Sequence, residues 1–177
     1  MHQSQPDGGA PLEIERKFLI AYPDLAALER NPACRRADIL QTYLKTADSA
    51  ETARVRRWES EGRCVYYKTS KWKLSDMTRV EREEEISPET YQALLARADP
   101  DCRPIRKRRY RLYENGLCYE IDVFPEWTDR AIMEIELRSE DQEITLPDCV
   151  TVIREVTGDP RYSNRALARR NQNLRDL

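Results

Sequence analysis

Apolar and polar residues alternate along most of the chain, and the alternation sets the expected elements. In LEIERKFLI (12–20), Leu12, Ile14, Phe18 and Ile20 fall on one side of an extended strand, with Arg16 among them. Glu13, Glu15 and Lys17 fall on the other. A period of two reads as a strand with two unlike faces. Strand-like runs recur over 38–46, 51–60, 64–70, 77–86, 104–113, 116–124 and 129–138. A turn is expected at Glu61-Gly62-Arg63, and Asn115-Gly116 is a hairpin signal. Helical spacing marks 23–30, 87–98 and 165–174. The second of these opens with Ser87 at the cap, Pro88 at the first helical position and Glu89 after it. Six to eight strands with a few helices predict an α+β fold on an antiparallel sheet.

The polar faces of these strands are unusual. Arg54 and Arg56 share a face, opposite Ala53 and Val55. Lys68 shares one with Tyr66, and Glu81 and Glu83 align opposite Val80. Lys107, Arg109 and Arg111 align opposite Tyr110 and Leu112. Glu120 and Asp122 oppose Tyr119 and Ile121, and Glu134 and Glu136 oppose Met133 and Ile135. One such strand is how any one-sided sheet meets water. A whole set with like charges two residues apart is different, because solvation alone does not select repeated Arg-x-Arg or Glu-x-Glu. The expectation is a sheet closed on itself, a barrel with its charged face inward and helices covering the apolar outside. Its Arg and Lys suit a polyanion. Its carboxylates would repel that polyanion unless a hard divalent cation, Mg²⁺ or Mn²⁺, sat between them. The combination points to a metal-bound polyphosphate chain.

Composition narrows the chemistry. The 177 residues fit one domain, expected over 12–177 behind a polar leader, 1–11, expected to be disordered. A net charge of −2 argues against nucleic acid as a partner. No apolar run approaches the roughly 20 residues of a membrane helix. Five widely spaced cysteines with no Cys-x-x-Cys pair predict free thiols and a cytoplasmic location. The single histidine, His2, leaves no Ser-His-Asp triad, Cys-His pair or His-ligated zinc site to build. Catalysis must run on carboxylates, Lys, Arg and Tyr.

The motifs, in order, resemble one family. EIERK resembles the Glu-x-Glu-x-Lys signature of the CYTH superfamily, the triphosphate tunnel metalloenzymes. ARVR, YYK, RVERE, KRRY, EIDVF and MEIE resemble its later strands, and DPRYSNRALA its closing segment. The resemblance spans roughly Leu12 to Arg169 and is nearest to small bacterial inorganic triphosphatases. It implies a closed eight-stranded antiparallel tunnel that hydrolyses triphosphates with Mg²⁺ or Mn²⁺. Glu13, Glu15, Asp122, Glu134 and Glu136 are expected to hold metal. Lys17, Arg54, Arg56, Lys68, Lys107 and Arg109 are expected to hold phosphate. Glu81 and Glu83 would join the metal shell or orient water, and Lys68 would activate the nucleophile. The connector TSKWKLSDM carries no glycine, so an altered loop is expected between Lys68 and Arg79.

The first expectation is hydrolysis of tripolyphosphate to diphosphate and phosphate, by a monomer or homodimer. The charged core leaves three alternatives: a class IV adenylyl cyclase, a thiamine triphosphatase and a polyphosphate-binding module. No stretch marks a purine pocket. Trp58, Trp72 and Trp127 are candidates for an aromatic platform, with packing as the competing role.

Overall fold

A computed structural model describes residues 12–48, 50–73 and 78–174, without the side chains of 12, 13, 73, 78 and 79. The expected leader, 1–11, lies outside the described residues. The strands are β1 (Leu12–Ala21), β2 (Cys34–Leu44), β3 (Glu51–Ser60), β4 (Arg63–Lys73), β5 (Thr78–Ile86), β6 (Ile105–Glu114), β7 (Leu117–Val123), β8 (Arg130–Leu137) and β9 (Val152–Glu155). The helices are α1 (Leu25–Arg30), α2 (Pro88–Leu95) and α3 (Asn164–Ala168), with a 3-10 turn at Pro160–Tyr162. Ser87 caps α2 by accepting from the Thr90 N–H, as its sequence predicts.

All pairings are antiparallel, in the order β5-β4-β3-β2-β6-β7-β8-β1-β9. Two tight turns set the register of their hairpins. Glu61-Gly62 joins β3 to β4 and Asn115-Gly116 joins β6 to β7, each with two positive φ angles (50° and 75°, 53° and 73°). Positive φ at both positions gives the primed turn whose twist matches the strands, and glycine adopts it without strain.

The expected closed eight-stranded barrel needs correction: among the described residues the sheet has nine strands, and the one contact that joins its ends is short. Besides its ladder to β8, β1 pairs with β5 over only three residues, Leu12–Ile14 with Thr78–Val80. Further along, Phe18, Leu19 and Ile20 pair with β9 instead. β9 was not foreseen, because four residues reading VIRE carry little alternation. The expected helix over 165–174 also shortens to α3. Beyond Ala168 the backbone bonds to another segment: Arg103 N–H donates to the Ala168 carbonyl at 2.7 Å, and Arg170 N–H to that of Asp101 at 3.0 Å. β4 runs on to Lys73 and β5 begins at Thr78, so the altered loop falls on 74–77, outside the described residues.

The sheet buries apolar side chains on both faces. On the outer face Phe18, Tyr110, Leu112, Ile121, Met133 and Ile135 pack beneath α1. Leu44, Ala53 and Val55 pack beneath Tyr91 of α2. On the inner face one end is filled by Leu19, Tyr43, Ile105 and Ile132 against Phe124, Trp127, Tyr162 and Leu167. Trp127, whose Nε1 donates to the Leu174 carbonyl at 2.7 Å, therefore has the packing role. The rest of the inner face is charged.

Ile121 is fully buried at the centre of the outer cluster. Ile121→Ala is expected to destabilise the protein by about 2–5 kcal/mol through lost burial and a residual cavity. Urea unfolding would show this as a lower midpoint, with the inner face's ligand binding unchanged in variant protein that is still folded.

Candidate active site

Register decides which charges meet. Arg54 and Arg56 on β3 stand opposite Tyr43 and Gln41 on β2, and opposite Thr69 and Tyr67 on β4. Alternation then turns Lys71 inward as well. Tyr43, Arg54, Arg56, Tyr67 and Lys71, with Glu15, Lys17, Glu81, Glu83, Arg109, Arg111, Glu120, Glu134 and Glu136, line one cavity of ≈ 580 Å³. The segment 156–165 forms another wall, with Thr157, Asp159, Asn164 and Arg165. Trp58 and Tyr67 also line the cavity, as an edge-to-face pair with ring centres 6.5 Å apart.

Beneath one wall lies a dense ion network. Asp122, 1% exposed, receives Lys107 Nζ at 2.5 Å and both Nε and Nη2 of Arg109 at 2.7 Å. Arg109 Nη2 also reaches Glu134 Oε2 at 3.0 Å, and Lys17 Nζ reaches Glu134 Oε1 at 2.9 Å. Burial alone would raise both acids. The cations override it, holding Asp122 below its usual value and Glu134 well below. Lys107 is pushed down to about 8 by burial and by Arg109, against Asp122 and Glu134, and stays mostly protonated at neutral pH.

Across the cavity the cations are less satisfied. Arg56 is paired with Glu83, which also accepts from Thr69 Oγ1 at 2.6 Å. Burial, then Arg54, depresses Arg56. The Nε groups of Arg54 and Arg56 are buried and donate to no acceptor among the described residues. A buried unpaired donor on a cation is costly, and an incoming anion removes the cost.

The acids at the other end are crowded. Glu136 is raised by burial and by Glu120, Glu81 and Glu15, with Lys71 opposing. Lys71 Nζ is 2.5 Å from Glu81 Oε2. Among the described residues no three acidic, His or Cys side chains are gathered tightly enough to hold an ion alone. The donor set still fits Mg²⁺ or Mn²⁺, which keep several waters and complete their shells with one or two carboxylates and phosphate oxygens. Mutually repelling carboxylates are what such an ion relieves.

Nine of the expected site residues line the cavity: Glu15, Lys17, Arg54, Arg56, Glu81, Glu83, Arg109, Glu134 and Glu136. Two are not in its lining, Lys107 and Asp122, and both oxygens of Asp122 accept from Lys107 and Arg109. Lys68 is a correction. It stands opposite Val55, on the outer face, 3.5 Å from Glu84. Counting back from the Glu61-Gly62 turn pairs Arg56 with Tyr67 and Val55 with Lys68, so the turn already held the signal that Lys71 is the inward lysine. Glu13 lies in β1 opposite Arg79, with its side chain outside what is described. Arg111 and Glu120 were visible as aligned charges but were not among the expected site residues. Arg165 had no signal, since its position depends on how the C-terminal segment folds back.

The chain is similar to known proteins over most of its length. The family model for the CYTH domain matches residues 11–170. An inorganic triphosphatase of Acetivibrio thermocellus is 32% identical over 160 residues, covering 89% of this chain and 93% of that one. One of Nitrosomonas europaea is 32% identical over 159 residues, covering 88% and 96%. A crystal structure of an inorganic triphosphatase aligns with a TM-score of 0.54 at 29% identity, covering 91% of this chain and 97% of its own. With the family model matching 11–170, nearly the whole chain, this chain belongs to the CYTH domain family.

Proposed function

We propose that this chain hydrolyses inorganic triphosphate to diphosphate and phosphate, with Mg²⁺ or Mn²⁺. The observation that carries the proposal is the separation of charge in one cavity: buried, under-satisfied guanidinium groups at Arg54 and Arg56, and crowded carboxylates around Glu136. That is the pattern a polyphosphate bound through a divalent cation requires. Curated relatives named inorganic triphosphatase support it.

In this reaction the protein positions the chain and neutralises its charge, with little covalent chemistry to perform. Arg54, Arg56, Arg109 and Lys17 bind the phosphate oxygens. Lys71 takes the cavity place expected for Lys68. Glu15 and Glu136 would hold the cation, together with Glu13, and Glu134 would do so while keeping Lys17 and Arg109 in place. When bound, the cation supplies charge stabilisation of several kcal/mol at the phosphoryl oxygens. Glu81 and Glu83 are acceptors on the cavity wall that can orient the attacking water. Glu83 is fixed for this by Arg56 and Thr69.

One observation favours a second substrate class. Trp58 and Tyr67 present aromatic surface inside a cavity otherwise built for a hydrated anion. Such a surface suits the ring of an organic triphosphate, of the thiamine or nucleoside kind.

Purified protein with Mg²⁺ or Mn²⁺ is expected to release phosphate from tripolyphosphate, to form no cyclic AMP from ATP, and to lose all turnover in EDTA. Arg54→Ala should lower kcat/KM by about 10- to 100-fold, the worth of a charged hydrogen bond. A main product of cyclic AMP, or full activity without divalent ions, would remove the assignment.

Trp58→Ala is expected to lower kcat/KM for ATP or thiamine triphosphate by about tenfold or more, as loss of ring stacking does. Tripolyphosphate hydrolysis should stay near the wild-type rate. Equal effects on both kinds of substrate would reduce Trp58 to a packing residue.

Two glutamates should behave oppositely in metal-free protein. Glu134 is held ionised, so its stabilisation is present above the ordinary value of 4.5 and is lost as pH falls through its lower folded value. Glu134→Gln should therefore cost about 3 kcal/mol at pH 7 by leaving Lys17 and Arg109 short of an anion. Glu136 is raised, so its ionised form strains the folded state above 4.5. Glu136→Gln should leave stability at pH 7 equal or higher while weakening Mn²⁺ binding. Denaturation at pH 7 and pH 4 reads both: the Glu136→Gln difference should vanish at pH 4, while most of the Glu134→Gln cost should remain, because folded Glu134 is still ionised there.

A further inference from the structure

Among the described residues, Arg165 is the one basic residue lining the cavity that the sheet does not supply. It belongs to α3. Its neighbours show which end of the cavity it occupies. Its ion-pair partner is Asp99, whose backbone N–H donates to the Tyr43 carbonyl at 2.9 Å. The adjacent Asn164 Oδ1 lies 3.4 Å from Lys107 Nζ. Glu120, by contrast, is paired with Arg111, four residues further along β6, about 13 Å of extended chain. Arg165 is thus at the end away from the acidic cluster.

It is also held loosely. The Asp99 contact is 3.3 Å long and is the only ion pair of Arg165 among the described residues. The side chain is 34% exposed, and a guanidinium carries five N–H donors. Asp99 has other partners: Oδ1 accepts from the Asp101 N–H at 3.0 Å, and Oδ2 lies 3.8 Å from Cys102 Sγ. Releasing Arg165 would not leave Asp99 bare.

We infer that Arg165 grips the phosphate farthest from the acidic cluster and so discriminates a three-phosphate chain from diphosphate. The direction of the chain rests on the triphosphatase proposal. A chain fixed at the carboxylate end through a cation runs past Arg109 and Arg54 toward α3. Its third phosphate meets the spare donors of Arg165, which a diphosphate does not reach. A bidentate contact of this kind is short, specific and planar. It holds the substrate and is absent for the diphosphate product, which favours product release.

The test is calorimetric titration of the full chain, with Mg²⁺, using the methylene-bridged analogues of triphosphate and diphosphate, which do not hydrolyse. Arg165→Gln should weaken the triphosphate analogue about tenfold, or 1.4 kcal/mol, and leave the diphosphate analogue within about twofold. Arg165→Lys should recover part of the loss. Asp99→Asn breaks the same ion pair without removing the guanidinium, and should leave both affinities within about twofold. If Arg165→Gln weakens both analogues alike or neither, or if Asp99→Asn reproduces the loss, Arg165 only ties α3 to its neighbour and the inference falls. Wild-type protein that binds the analogue through Arg165 but does not cleave tripolyphosphate keeps this inference and removes the triphosphatase proposal.

Discussion

Buried Asp122, shared between Lys107 and Arg109, is the interaction on which the rest of the interior depends. A sheet that turns so many charges toward its own concave face pays a large desolvation penalty. Here that penalty is contained by pairing in layers. Lys107 and Asp122 lie deepest, Arg109 links them to Glu134, and Glu134 links Arg109 to Lys17. Burial decreases outward, from Lys107 and Asp122 to Arg109 and then to Glu134 and Lys17. The innermost charges serve one another, and only the outer ones are left for a ligand.

That gradient separates structural charge from functional charge. Arg54 and Arg56 lie across from the network and keep buried Nε donors without acceptors. The acids around Glu136 repel one another. A protein selected for stability alone would satisfy both sets internally, as it does around Asp122. Leaving guanidinium donors without acceptors and crowding carboxylates in one cavity makes it favourable for a species that brings both anion and cation. The apolar cluster of Phe124, Trp127, Tyr162 and Leu167 fills one end of the interior.

Alternation made most of this readable in the sequence. Strand parity put Arg54, Arg56, Glu81, Glu83, Glu134 and Glu136 on one face, because a period of two fixes faces within a strand. Parity does not relate one strand to the next, which is why Lys68 was assigned inward. Only the turn at Glu61-Gly62 fixes that register, and it selects Lys71. Parity also says nothing about depth. Asp122 and Glu134 carry the same pattern, yet one is a buried counter-ion and the other lines the cavity. The short β1–β5 contact, β9 and the place of Arg165 depend on contacts between distant segments that no local pattern encodes.

The clamp between β1 and the C-terminal segment has a consequence for how the protein is made. Lys17 N–H donates to Thr157 Oγ1 at 2.9 Å, and the Lys17 carbonyl accepts from Val156 N–H at 2.8 Å, contacts that join residues about 140 positions apart. The first strand must therefore wait for almost the whole chain before its backbone is satisfied. Contacts of such separation are late and slow to form, because loop closure comes before any reward. On the ribosome the charged face of β1 stays open to solvent until Val156 and Thr157 emerge. Glu15 and Lys17 then act as a solubilising coat, so the charges that face the cavity in the folded protein guard the nascent strand against aggregation.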